Sequence, residues 1–336
     1  MRRRALAGIA ASVLLLAGCG GSGATKPSIV LYNGQHPELT TAMVSAFQRA
    51  SGIAVGDRTN DGVVLADQIL EEGGSSPADV YLTENSPELV DLSEHGLLAR
   101  LPSSILDQVP AGDRSSNGTW VGVALRVNTL VYNPARISRS QLPSSILDLA
   151  TLKWKGKVAI APLDSDFPPV VGAVIATHGR KAAVSWLAGL KRNGAIYQDE
   201  ESVVAAVNHG DAAVGVINQY YWYRLRREIG ASAIHSALYY FPHGDAGSVV
   251  NVSGAAVLAS SHSRGKAERF VAFLVSRAGQ RLISQGDDYE YPVRPGVAPN
   301  PQLPAFAQIP HAAISVTALG NDRPAREMII QAGFGS

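Results

Sequence analysis

The stretch SIVLYNGQHPELTTAMVSAF, Ser28 to Phe47, contains the repeating unit from which the rest of the chain is built. Ile29-Val30-Leu31-Tyr32 is a short unbroken apolar run, the pattern of a strand buried on both faces. A polar loop follows. Pro37 suits a first helical position, and Leu39, Met43 and Phe47 then recur at helical spacing. Strand, loop and amphipathic helix together make one β–α unit. The same alternation continues outward. A second helix is predicted across Val64, Leu65, Gln68 and Ile69, and strands at Val80-Tyr81-Leu82 and Val158-Ala159-Ile160. Ala183, Trp186, Leu187 and Leu190 predict a helix, followed by a strand at Val214 to Ile217. Ala267, Phe270, Val271 and Leu274 predict another helix, with Gly279 as its stop. Such alternation implies an α/β fold with a mainly parallel sheet. No repeat of solenoid length is present.

The chain has 336 residues, enough for a leader and either two domains of about 150 residues each or one large bilobal body. With 46% hydrophobic and 17% charged residues it has the composition of a globular protein, not of a disordered or fibrous one. Three of the 29 basic residues are Arg2, Arg3 and Arg4; without them the body carries 26 basic against 28 acidic residues. That near-neutral balance argues against nucleic acid as the main partner. The single cysteine excludes an internal disulfide and a CxxC site.

That cysteine has a context of its own. Arg2 to Arg4 form a positive segment, Ala5 to Ala17 an apolar run, and Leu16-Ala17-Gly18 leads directly into Cys19. Thirteen residues are too few for the roughly 20 of a membrane-spanning helix, so the run reads as an export signal. Small residues before a cysteine resemble the bacterial lipobox, which implies removal of residues 1–18 and lipidation of Cys19. Residues 19–27, with GGSGA at Gly20 to Ala24, read as a flexible tether. The expected location is the extracytoplasmic face of the cell membrane, held by the acyl chains.

Motifs of catalysis are sparse. HExxH, GxxxxGK[ST], GxSxG and a GxGxxG following a strand are all absent from the sequence. An extracytoplasmic hydrolase would need scattered Ser, His and Asp to converge in space. Polar residues instead gather after strands, where α/β folds bind ligands: Tyr32 to Glu38, Glu84-Asn85, and Asn218 to Tyr223. Taken alone, adjacent tyrosines at such a turn pack against a neighbouring helix as readily as they bind anything.

In combination, these segments resemble those of the bacterial periplasmic ferric-ion-binding proteins, the transferrin-like receptors of ABC iron importers. The resemblance rests on YNGQH (Tyr32 to His36), EEGGSSPADVYLTEN (Glu71 to Asn85), WKGKV (Trp154 to Val158), INQYYW (Ile217 to Trp222), SGAAVL (Ser253 to Leu258) and EYP (Glu290 to Pro292). It extends from about Ser28 to the C-terminus. It implies a two-lobed periplasmic-binding-protein fold of type II with the ligand in the interlobe cleft. One lobe would comprise 28–126 with about 251–300, the other 127–250 with about 301–336. It implies Fe3+ as cargo, an ABC permease as partner, a monomer, and no enzymatic activity. His36 becomes the imidazole ligand, Glu84 the carboxylate ligand, and Tyr220 and Tyr221 the phenolate ligands. Chemistry agrees with that set. Ferric iron is a hard acid that prefers anionic oxygen, and two phenolates with one carboxylate balance its three charges.

The remaining coordination positions are where this chain departs from the family. Many relatives hold an exogenous anion, commonly phosphate, through a Ser-Gly-Ala turn and an asparagine. Here the turn reads Asp164-Ser165-Asp166 and the asparagine position falls at Glu200, while Asn218 is retained and Asn85 stands where glutamine is frequent. Arg126 matches a family arginine near the site. Three acids would repel phosphate, so the expectation is a protein carboxylate in place of the synergistic anion, or another ligand such as carbonate or water. Another small ligand in the same cleft, an oxyanion, polyamine or thiamine, is the alternative cargo.

Overall fold

A computed structural model describes residues 27–335. Cys19 and the tether up to residue 26 lie outside the described residues. The elements begin β1 (Ile29–Gly34), α1 (Pro37–Ser51), β2 (Val55–Thr59), α2 (Gly62–Glu72), β3 (Val80–Thr83) and α3 (Ser86–Glu94). A single turn, α4 (Ser103–Leu106), precedes the long strand β4 (Trp120–Tyr132). There follow β5 (Val158–Ile160), α5 (Phe167–His178), α6 (Arg180–Asn193), β6 (Gly194–Ile196), α7 (Glu200–His209), β7 (Val214–Asn218) and α8 (Gln219–Ile229). The chain returns through β8 (Ala237–Tyr239), β9 (Val250–Val257), α9 (Arg264–Leu274), α10 (Arg277–Gln285), β10 (Tyr291–Pro292), α11 (Val316–Leu319) and α12 (Arg323–Gln331).

Strand order along the main path is β2-β1-β3-β9-β4-β7-β5-β6, with β8 and β10 also paired to β4. The expected mainly parallel sheet is corrected to a mixed one. Strand β1 is parallel to β2 and β3, and β5 to β6 and β7, but every pairing of β4 and β9 is antiparallel. The cause is the crossing strand. β4 pairs with β9 through Val127 and with β7 from Asn128 onward, so a single buried strand serves both halves of a two-lobed α/β body.

Apolar periodicity accounts for the helices that frame the cleft. Leu39, Met43 and Phe47 are buried on α1, which starts at Pro37 and ends at Gly52 in the left-handed region, φ 70°. One apolar cluster runs from α1, α2 and α3 through β4 and on to α7 and α8. The other lies under α5, α6 and α12. Gly279 does not stop a helix as expected. α9 ends at Leu274, and Gly279 lies in α10, whose N-cap Ser276 accepts the Gly279 N–H at 3.2 Å. A Cβ there would meet the Phe273 carbonyl oxygen at 2.3 Å, so glycine is required by close packing at the α9–α10 corner.

Candidate metal centre

Four helix N-caps face the cleft: His36 of α1, Asn85 of α3, Asp166 of α5 and Asn218 of α8. None of them turns its side chain back on its own helix, although Asn and Asp are favoured caps for doing so. The side chains are spent on the cleft instead. Helix N-termini carry partial positive charge, so their convergence favours anionic oxygen there.

His36 is buried, and its Nδ1 lies 3.2 Å from Glu84 Oε1. Its Nε2 is buried with no hydrogen-bond partner among the described residues, so with the ring proton on Nδ1 toward Glu84 its lone pair is open to a Lewis acid. The imidazole meets Tyr220 edge to face at 5.1 Å between centroids, and the rings of Tyr220 and Tyr221 lie 4.1 Å apart. Both phenols belong to the first turn of α8 and are buried. They donate to one atom, Asp166 Oδ2, at 3.0 Å from Tyr220 and 3.3 Å from Tyr221.

Arg126 on β4 is fully buried and binds this group from behind. Its Nη2 reaches Asp166 Oδ1 at 2.8 Å, donates to Asn85 Oδ1 at 2.9 Å, and lies 3.5 Å from Glu84 Oε2. Its Nη1 pairs with Glu290 Oε1 at 3.1 Å. Asn85 in turn donates to the Ser165 carbonyl at 3.2 Å. Ser165 thus contributes its backbone oxygen.

Burial sets the protonation of the cleft. It pushes Glu84 up to about 8, against the pull of Arg126, and lifts both phenols well above their ordinary range, with Asp166 adding to the rise. It lowers His36, which is neutral. Burial would raise Asp166 too, but the Arg126 charge and hydrogen bond outweigh it and hold that carboxyl below the usual range. Burial pushes Glu290 up to about 7 against the pull of Arg126, so near neutral pH Arg126 faces the ionised Asp166 and a partly ionised Glu290, among protonated Glu84 and phenols.

The other two acids of the altered anion site, Asp164 of the turn and Glu200 at the start of α7, face backbone. Asp164 accepts the N–H of Asp166 and of Glu200, each at 3.0 Å, and Glu200 accepts the Asn218 N–H at 2.6 Å. Burial raises Asp164 to about 8 and Glu200 well above the carboxylate range. Both side-chain polar atoms of Asn218 are buried without a partner among the described residues. The sequence reading missed Glu290 and Gln35. Their signal was adjacency alone: Gln35 precedes His36, and Glu290 opens the quoted EYP. Among the described residues no three His, Cys, Asp or Glu side chains form a metal site by themselves; the neighbours of the His36–Glu84 pair are phenols.

Residues 75–311 match the family described as bacterial extracellular solute-binding protein. The Fe(3+)-binding periplasmic protein of Serratia marcescens is 37% identical over 326 residues, 97% of this chain and 96% of that protein. The major ferric iron-binding protein of Neisseria meningitidis serogroup B is 38% identical, over 91% of this chain and 93% of its own. Iron-bound HitA from Pseudomonas aeruginosa superposes with a TM-score of 0.86 at 40% identity, covering 91% of this chain and 99% of HitA. With its two-lobed body, its cleft at four helix N-termini and these relatives across nearly its whole length, the chain belongs to the bacterial extracellular solute-binding protein family.

Proposed function

We propose that this protein captures Fe3+ outside the cytoplasm and delivers it to an ABC permease, with His36, Glu84, Tyr220 and Tyr221 as the iron ligands. One observation carries the reading: a His36–Glu84 pair, 3.2 Å apart with only a small part of the Glu84 side chain exposed, set against two adjacent phenols that become anionic donors on losing their protons. The names and coverage of the relatives support it. Losing three protons turns Glu84, Tyr220 and Tyr221 into three anions that balance Fe3+. A divalent ion gains less from the same donors and leaves the cleft net negative, which costs more at low dielectric. The role requires no catalysis.

We assign the first lobe to residues 28–126 with about 251–300, and the second to 127–250 with about 301–336. His36 and Glu84 then approach from one side and the phenols from the other, so coordination rewards closure. We further assign Asp166 as the protein carboxylate that stands in for a synergistic anion. Its carboxylate lies between Arg126 and both phenols, within hydrogen-bond reach of all three, which supports the assignment. Lipidated Cys19 would tether a monomeric receptor beside its permease.

Adding ferric citrate to the purified protein tests the core of this. Wild type should develop a phenolate-to-iron band in the visible, lost on reduction, and Tyr221→Phe should lose tight binding. Equal affinity in Tyr221→Phe would remove the ligand assignment.

A further inference from the structure

We infer that Glu290 is a positioning residue of this centre, acting through Arg126; the inference rests on the iron-binding reading. Among the described residues Glu290 makes no hydrogen bond or ion pair with the four proposed ligands, yet three paths to them pass through it. Its Oε1 holds Arg126 Nη1 at 3.1 Å. A guanidinium is planar and rigid, so fixing one nitrogen fixes the other. Nη2 is thereby aimed at Asn85 Oδ1 from the first lobe and at Asp166 Oδ1 from the second, at 2.9 and 2.8 Å. The second path leaves from Oε2, which accepts Gln35 Nε2 at 3.2 Å. Gln35 Oε1 accepts the backbone N–H of His36 at 2.7 Å, locking the loop that presents the imidazole. The third runs from the same Gln35 amide to Ser253 Oγ at 2.9 Å, which donates to the Thr83 carbonyl at 2.8 Å, beside Glu84.

Charge gives this node its effect. Arg126 Nη2 lies 3.5 Å from Glu84 Oε2, within reach of a closer ion pair. With iron bound and Glu84 deprotonated, a cation held only by Asp166 and Asn85 would move toward Glu84 and compete with the metal for its carboxylate. Glu290, fully buried on the far side of Arg126, holds the guanidinium back. The residue thus keeps Glu84 available while leaving Nη2 for Asp166.

Removing such a partner lowers metal affinity by roughly ten- to a hundredfold. Glu290→Ala and Glu290→Gln should both show that loss in Fe3+ titrations. Formate should restore Glu290→Ala by refilling the deleted carboxylate, while formamide should not, and neither should alter wild type. A carboxylate that merely fills space would be replaced by either additive. Glu290→Gln, which keeps the volume, covers the case in which the alanine variant fails to fold. Crystal structures of metal-free wild type and Glu290→Gln give an arm independent of iron: Arg126 Nη2 should leave Asn85 or Asp166 in the variant. Wild-type affinity in both variants, or an unmoved Arg126 in Glu290→Gln, overturns the assignment of Glu290. A wild type that binds no Fe3+ overturns the iron reading instead, and the metal-free structures still decide Glu290.

Discussion

As the proposed ligands, Glu84, Tyr220 and Tyr221 would meet an incoming cation while still protonated, because burial holds Glu84 at about 8 and the phenols well above their ordinary range. Each must lose its proton to become an anionic donor. The metal-free state thus binds about three more protons than the loaded one, and linkage makes affinity rise with pH. Below the Glu84 value, the logarithm of the affinity for free Fe3+ should climb by about three per pH unit. Competition with a chelator of known proton stoichiometry between pH 6 and about 7.5 measures it. A slope below one would mean that the phenols keep their protons and are not ligands. Asp166 differs, being ionised already, and is therefore available to iron without a proton cost. Wild type should bind Fe3+ equally with and without phosphate. Asp166→Ala should lose roughly ten- to a hundredfold in phosphate-free buffer and recover when phosphate fills the gap beside Arg126. Phosphate stimulation of wild type would instead show that Asp166 yields to an exogenous anion.

Helix starts explain why three neighbouring acids do different work. Asp164 ties the beginning of α5 to the beginning of α7 through two backbone N–H groups, and Glu200 ties α7 to the end of β7. Asp164→Ala leaves those two N–H groups without their acceptor, a loss of about 1–3 kcal/mol. Thermal unfolding should register it as a clear fall in Tm, whereas phosphate dependence should stay as in wild type. If Asp164→Ala created phosphate dependence, the carboxylate facing the metal would be this one and not Asp166. The sequence could show that acids replaced the turn. It could not show which one pointed inward, because residues 164 and 166 are separated only by the rotation of a tight turn. Elements were legible where burial is one-sided. Leu39, Met43 and Phe47 mark α1 by period, but β4 is buried along all thirteen residues and includes Arg126, Asn128 and Thr129, so neither alternation nor an unbroken apolar run announces it. Glu290 and Gln35 lie 255 positions apart and meet only in the folded protein.

At the scale of the molecule, two sets of contacts join the halves, and they differ in environment. Along the rim, Arg323 pairs with Asp91 at 3.0 Å, Arg326 with Asp67 at 3.8 Å, and Asn321 donates to Glu94 at 2.7 Å. Asp67 is 56% exposed, so its pair with Arg326 is worth about 0–1 kcal/mol after solvent screening. Asp91 is buried, but Arg323 is 46% exposed, and Asp91 keeps His95 Nδ1 at 3.5 Å when Arg323 is removed. In the cleft, Arg126 and Asp166 are both fully buried, and Asp166 also takes both phenol hydroxyls. There, removing one partner leaves a buried charge uncompensated, which costs several-fold more than a rim pair. Closure should therefore depend on the cleft. In small-angle scattering of the metal-free protein, Arg323→Ala with Arg326→Ala should leave the radius of gyration near the wild-type value. Asp166→Ala should increase it, as Arg126 loses its α5 partner and the phenols lose their shared acceptor. Adding Fe3+ with phosphate should return Asp166→Ala to the compact value, since coordination and the added anion replace both contacts. An equal or larger expansion from the rim variant would place the energy of closure on the surface. Iron would then close the cleft without help from its own counter-ion.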